Sequence, residues 1–267
     1  MLKFPLAKQQ LQDILSASLA KGGDWSELFL EHTSQNSILA EDNKIEKILS
    51  GTDQGAGIRI ISSPHTYYAS TNDLAYDNLL KIAKELASSI AQSKNDLSLN
   101  LKADNKISSN FIQFPEDIAI ANKTKNVLRA NVAARKIDPR IKQVTIGYRD
   151  TTQDVLIANS TGFIKEDKRI RTRFTTQIVA QKNAVLQTGY EGPGTLQGFE
   201  FFDKYKPEEI ATEAAERALL MLEALPAPAG KMPVVLAGEA GGTLIHEACG
   251  HAFEGDFIYK KNLCLSR

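Results

Sequence analysis

Apolar residues recur at helical spacing over residues 7–19, where Leu11, Ile14, Leu15 and Leu19 share one face and Gly22-Gly23 ends the run. The pattern then changes to short β-like runs at 25–32, 37–41, 44–49, 55–61 and 66–70. In "GAGIRIIS", Ile58 and Ile60 fall on one side, with Arg59 and Ile61 on the other. That alternation predicts a half-buried strand, and the series predicts an antiparallel meander. Helical patterns return over about 72–92 and about 115–135, the second opened by Pro115 with Glu116 and Asp117 where carboxylates suit the helix dipole. The polar stretch between them reads as loop. From 143 to 191 the chain reads as strands again, with "NSTG" and "QKNA" as hairpin turns, and a further helix is expected over 207–222. The fold class predicted is α/β in the α+β sense: mixed, mainly antiparallel sheets with flanking helices.

Composition changes abruptly at "LPAPAGKMP", residues 225–233, a stiff proline-rich connector of the kind found between domains. The expected organisation is an N-terminal α/β domain over 1–224, a linker over 225–233, and the start of an incomplete second domain over 234–267. "VVLAGE" reads as a buried strand leading into that second unit, which at about thirty-five residues is too short to bury a core of its own.

The 267 residues are 42% hydrophobic and 24% charged with a formal net charge of zero, so there is no global attraction toward nucleic acid or an acidic membrane surface. No apolar run approaches the roughly 18 residues of a membrane span, and the first residues lack a signal-peptide h-region. With Cys249 and Cys264 as its two cysteines, the chain is expected to be a soluble cytoplasmic protein.

Most candidate sites have an ordinary explanation. Arg169, Arg171 and Arg173 alternate on one strand face and could bind anions, but Glu166 and Asp167 stand nearby to balance them. His32 and His65 have no neighbours at ligand spacing. Gly192, Gly194 and Gly198 do not match a dinucleotide-binding spacing and read as a flexible surface loop.

The segment "GGTLIHEACGHAFEGDF" is different, because it places His246 and His251 five apart with Glu247 beside the first. Two histidines that share a metal on a regular helix are four apart. At five, the side chains diverge by about 140°, which zinc–nitrogen bonds of about 2.1 Å do not tolerate. A π-type bulge absorbs the extra residue, and a local widening or break of the helix is predicted at Ala248 to Gly250, where Gly250 supplies backbone freedom. Glu247 could then take a proton from a water polarised by the metal. A third ligand is still required.

"HEACGHAFEGD" resembles the H-E-x-x-x-H signature of the TldD/PmbA metallopeptidases. The N-terminal helix, the "GAGIRI" strand, the "TGYEGPG" loop and the proline linker follow the order of that family's N-terminal region. The resemblance implies that His246 and His251 are zinc ligands and Glu247 the catalytic base, with the third ligand a cysteine far downstream. It further implies a cytoplasmic heterodimer with a TldE/PmbA-like partner, acting on unfolded or flexible peptides. Such proteins are linked to peptide-antibiotic maturation, antitoxin turnover and, by an older label, DNA gyrase modulation. On this reading the chain is a truncated form with an incomplete metal site. Cys264, thirteen residues after His251, is a tempting replacement ligand that nothing in the tail supports. The alternative is a non-catalytic α/β interaction module that pairs with a TldE/PmbA-like subunit.

Overall fold

The computed structural model describes residue 4 and residues 6–90, 99–103 and 111–260. Its contacts divide the chain into two compact units, Met1–Ala224 and Leu225–Arg267.

The first unit is built on one sheet. Its strands are β1 (Trp25–Glu41), β2 (Lys44–Ser62), β3 (His65–Thr71), β4 (Lys102–Ala103), β5 (Ile141–Asn159), β6 (Phe163–Lys182), β7 (Val185–Glu191) and β8 (Gly194–Thr195). Their order is β3-β2-β1-β5-β6-β4, with β7 and β8 also paired to β6. Every pairing is antiparallel except the short β4–β6 contact. The two strand-rich regions are thus one sheet, joined where β1 runs antiparallel to β5 from Glu27 opposite Asn159 to Glu41 opposite Thr145. The separate runs expected at 25–32 and 37–41 are a single strand, as are those at 44–49 and 55–61. Asp42 and Asn43, both at positive φ (46° and 71°), close the β1–β2 hairpin. Asn and Asp tolerate that conformation better than other side chains.

The helices cover one face of the sheet. α1 (Lys8–Ser18) and α2 (Tyr76–Ser88) bury Leu11, Ile14, Leu15, Leu79 and Ala83 against Leu28, Leu30, Ile58, Leu156 and Ala158. A 3-10 turn (Pro115–Asp117) precedes α3 (Ile120–Ile137). The helix expected over 115–135 is interrupted because Ile118 is extended, at φ −94° and ψ 119°. α3, the short α4 (Phe201–Lys204) and α5 (Pro207–Leu222) pack on Ile38, Ala40, Val144, Ile146, Phe174 and Ile178. The alanine stripe of α5 permits close approach: a Cβ on Gly189 of β7 would lie 1.9 Å from the Ala214 carbonyl oxygen.

Leu28, Leu30, Ile38 and Ala40 all occupy even positions of β1, so both apolar clusters lie on the same side of the pleat. Between them runs a polar seam. Asp150 on β5 accepts from Lys123 Nζ (2.6 Å) and Tyr148 Oη (2.7 Å) through Oδ2, and from Asn36 Nδ2 (2.9 Å) through Oδ1. Burial, together with the Asp150 carboxylate, pushes the Tyr148 hydroxyl far above its ordinary pKa.

The glycine-rich stretch after β7 is pinned rather than loose. The Phe174 N–H donates to the Pro193 carbonyl (3.0 Å), and Thr172 Oγ1 donates to the carbonyls of Gln197 (2.9 Å) and Gly198 (3.1 Å). The polar linker before Pro115 falls largely outside the described residues, apart from its pairing at β4.

In the second unit the apolar run at 234–236 forms no strand. Val234, Val235 and Leu236 are 72%, 101% and 53% exposed, and no partner strand is bonded to them among the described residues. A strand exists only by pairing, so apolar character alone did not suffice. The remainder is α6 (Gly238–Ile245), a π turn (His246–Gly250), a 3-10 turn (His251–Phe253) and α7 (Gly255–Tyr259). No helix among the described residues is long and apolar enough to cross a membrane.

Candidate metal centre

α6 continues into the two histidines without a break in direction: Ile245, His246, Gly250 and His251 all keep right-handed helical backbone angles. What changes is the hydrogen-bond step. The His251 N–H donates to the His246 carbonyl five residues back, the defining bond of a π turn. This widening brings the two imidazoles onto one side, with ring centroids 4.5 Å apart and planes inclined by 60°. The widened turn expected at 248–250 is therefore present, beginning two residues before its forecast start.

The reason for Gly250 differs from the expectation. Its φ and ψ are −58° and −49°, which any residue adopts, so backbone freedom is not what the site needs from it. Space is. A Cβ at Gly250 would lie 2.7 Å from His246 Nδ1 and 3.2 Å from Cγ, so any side chain would push the imidazole out of place.

His246, Glu247 and His251 each offer a ligand atom, and these atoms all lie within 4.8 Å of one another. Glu247 Oε2 is 3.5 Å from His251 Nε2. Two donors on a shared tetrahedral zinc sit about 3.4 Å apart, so small side-chain rotations of these exposed groups suffice to close the set. Two imidazoles and a carboxylate fit a borderline metal such as zinc, and such a group supplies two or three of four ligands. Among the described residues Cys249 is exposed and unbridged, and it stands outside this cluster. Cys264 lies outside the described residues.

Glu254 is a member of the site that sequence reasoning missed. Its Oε1 lies 2.7 Å from His251 Nδ1, a carboxylate placed to accept from that nitrogen so that Nε2 is the ring atom left for a ligand. The i, i+3 spacing in "HAFE" was the available signal.

The comparisons with known proteins bear on this segment and on the sheet alike. The model described as PmbA/TldA metallopeptidase domain 1 matches residues 26–90, the central-domain model matches 114–222, and the C-terminal-domain model matches 229–267. The chain belongs to the PmbA/TldD metallopeptidase family. Among its PmbA/TldD relatives, a metalloprotease TldD homolog of Haemophilus influenzae is 29% identical over 266 residues, covering 96% of this chain and 55% of that protein. A metalloprotease of Methanocaldococcus jannaschii is 30% identical, covering 91% and 54%. One of Saccharolobus solfataricus, 24% identical over 91% and 53%, is named a zinc metalloprotease TldD homolog. The chain spans about half the length of these relatives. The fold is also that of TldE from Thermococcus kodakarensis (TM-score 0.69, 15% identity, 96% of this chain and 58% of that one). A Bacteroides thetaiotaomicron protein solved under the name of a DNA gyrase modulator is similar too (TM-score 0.72, 19% identity, 96% and 59%).

The other residues singled out from the sequence lie in the first unit. His32 is half-buried and His65 exposed. Of the three alternating arginines, Arg169 pairs with Asp167 (2.6 Å), but Arg171 and Arg173 pair with no acid among the described residues. Glu166 sits opposite Leu156, on the other side of the pleat from these arginines.

Proposed function

We propose that this chain carries the metal-binding turn of a zinc-dependent peptidase of the TldD type, with His246 and His251 as ligands and Glu247 as general base. The observation that supports it is the five-residue π turn that sets the imidazoles 4.5 Å apart with the glutamate beside them. A structural helix gains nothing from such widening, whereas a shared cation requires it.

A zinc ion held there would polarise a peptide carbonyl and lower the pKa of a nearby water to about 7. Glu247 takes the proton of the attacking water and passes it to the departing amine. Glu254, by accepting from Nδ1, would fix the tautomer of His251 that leaves Nε2 to hold the ion. The third ligand is, by family resemblance, a cysteine further along a longer chain. By the same resemblance the substrates are unfolded or flexible peptides, the partner is a TldE/PmbA-like subunit in a heterodimer, and the compartment is the cytoplasm. Residues 225–233 then act as a linker between an N-terminal domain (1–224) and a catalytic domain that starts at 234.

The test is a zinc titration of the 267-residue chain against a fluorescent chelator. One ion per chain is expected, with His246→Ala and His251→Ala each weakening it by about tenfold or more. Equal binding by parent and both variants would overturn the ligand assignment. In a version carrying the complete C-terminal domain, Glu247→Gln should retain zinc and lose peptide cleavage, and retained cleavage would remove Glu247 from the role of base.

A further inference from the structure

On the sheet face opposite the helices, the strand register concentrates positive charge where β5 pairs with β6. Arg149 of β5 stands directly opposite Arg173 of β6, and Arg171 stands opposite Thr151, two residues along the same face. All three are exposed. Like charges directly opposite each other across a pair of strands weaken the pairing. The partners these arginines have among the described residues are neutral. Arg149 donates to Gln35 Oε1 (2.9 Å), Arg171 reaches Gln153 Oε1 at a marginal 3.5 Å, and Arg173 donates to the Tyr190 hydroxyl (3.1 Å). None of the three forms an ion pair among the described residues, in contrast to Arg169 with Asp167. Each guanidinium keeps most of its five donors for another molecule. Glycine borders the cluster: Gly194 of β8 lies opposite Arg173, where a Cβ would stand 3.4 Å from Arg173 Cγ.

We propose that Arg149, Arg171 and Arg173 form a binding site for an acidic, extended peptide segment. Arg171 and Arg173, two apart on a strand, are separated by about 7 Å, which is also the spacing of alternate side chains in an extended peptide. Carboxylates at alternate positions of such a peptide therefore meet successive guanidiniums, and planar carboxylates accept the paired donors of arginine in two parallel bonds. A nucleic acid is the poorer match. Glu31 and Asp167 flank the patch on the same face, the net charge of the chain is zero, and three cations fall short of the roughly 6–10 phosphate contacts of a typical duplex binder. The site needs no metal, so it stands or falls apart from the histidine turn.

The experiment is fluorescence anisotropy with the 267-residue chain in metal-free buffer, using labelled Glu-Ala-Glu-Ala-Glu and its glutamine counterpart at about 50 mM salt. The acidic peptide should bind about tenfold or more tightly than the neutral one, and Arg171→Gln with Arg173→Gln together should remove that advantage. Arg149→Gln should weaken binding about threefold, and Arg169→Gln, already engaged by Asp167, should change it least. Thermal midpoints of the Arg149, Arg171 and Arg173 variants should equal or exceed that of the parent, since repulsion is being removed. Equal affinity for the two peptides would overturn the proposal, as would variants that bind unchanged. A lowered midpoint in all three variants would show that these arginines serve the fold, and tighter binding of a single-stranded oligonucleotide through the same arginines would assign the patch to nucleic acid; either result overturns it.

Discussion

Lys123 of α3 with Asp150 of β5 in the first unit, and His251 with Glu247 in the second, are both close polar groupings, but their surroundings are opposite. The first pair is 2.6 Å apart with each side chain 2% exposed, and the second is 3.5 Å apart at 51% and 64%. A buried charge must be satisfied within the protein, so Asp150 has three donors and Lys123 lies 5.8 Å from the Tyr148 ring centroid. The histidine turn leaves donor atoms facing water and keeps their positions with one carboxylate and one missing Cβ. Groups fully used by the fold hold it together, whereas groups left over are available for chemistry. Substitutions should therefore separate stability from metal binding.

The largest effect is expected from Lys123→Met. It leaves the Asp150 carboxylate buried beside neutral donors and should cost about 3–5 kcal/mol in chemical denaturation, with zinc affinity unaltered. A combined loss of zinc would break the contrast. Next is Gly250→Ala, which suits a helix by about 1 kcal/mol but intrudes on His246, so zinc affinity should fall by about 10–100-fold without loss of stability.

Glu200 sharpens the buried side. Burial alone would raise its pKa, but the N–H groups of Gly198 and Gln113, each 2.9 Å from a carboxylate oxygen, hold it below the ordinary 4.5. Its contribution is present above the unfolded value and is lost as pH falls through the lower folded value, so stability should decline below about pH 4.5. Glu200→Gln should cost about 1–2 kcal/mol at neutral pH and flatten that decline in acid denaturation. Smallest is Glu254→Gln, for which about tenfold weaker zinc binding is expected with an unchanged unfolding midpoint.

Much of this contrast could be read before any coordinates. The five-residue histidine spacing calls for a widened or broken helix if the rings are to converge, and the structure has the widened one; the alternation in "GAGIRIIS" puts Ile58 and Ile60 on a common side, which is the buried one at 1% and 0% exposure. The polar gap in β1 was misread as a break because Asn36 faces inward onto Asp150, a residue 114 positions away. Hydrophobic periodicity cannot signal a core position that is polar for lack of an apolar neighbour. The same limit hid the β1–β5 pairing and the opposition of Arg149 to Arg173, since register between distant strands leaves no local trace. "VVLAGE" failed in the other direction, as apolar residues without a pairing partner.

The long strand β6 writes two independent texts in alternate letters. Ile170, Thr172, Phe174, Thr176 and Ile178 spell the interior, and Arg169, Arg171 and Arg173 spell the exterior. Evolution can rewrite the second without touching the first, one substitution at a time. A single inserted or deleted codon midway along the strand would interchange them, carrying guanidiniums inward and phenylalanine outward, so this stretch should drift in spelling across descendants while its length stays fixed.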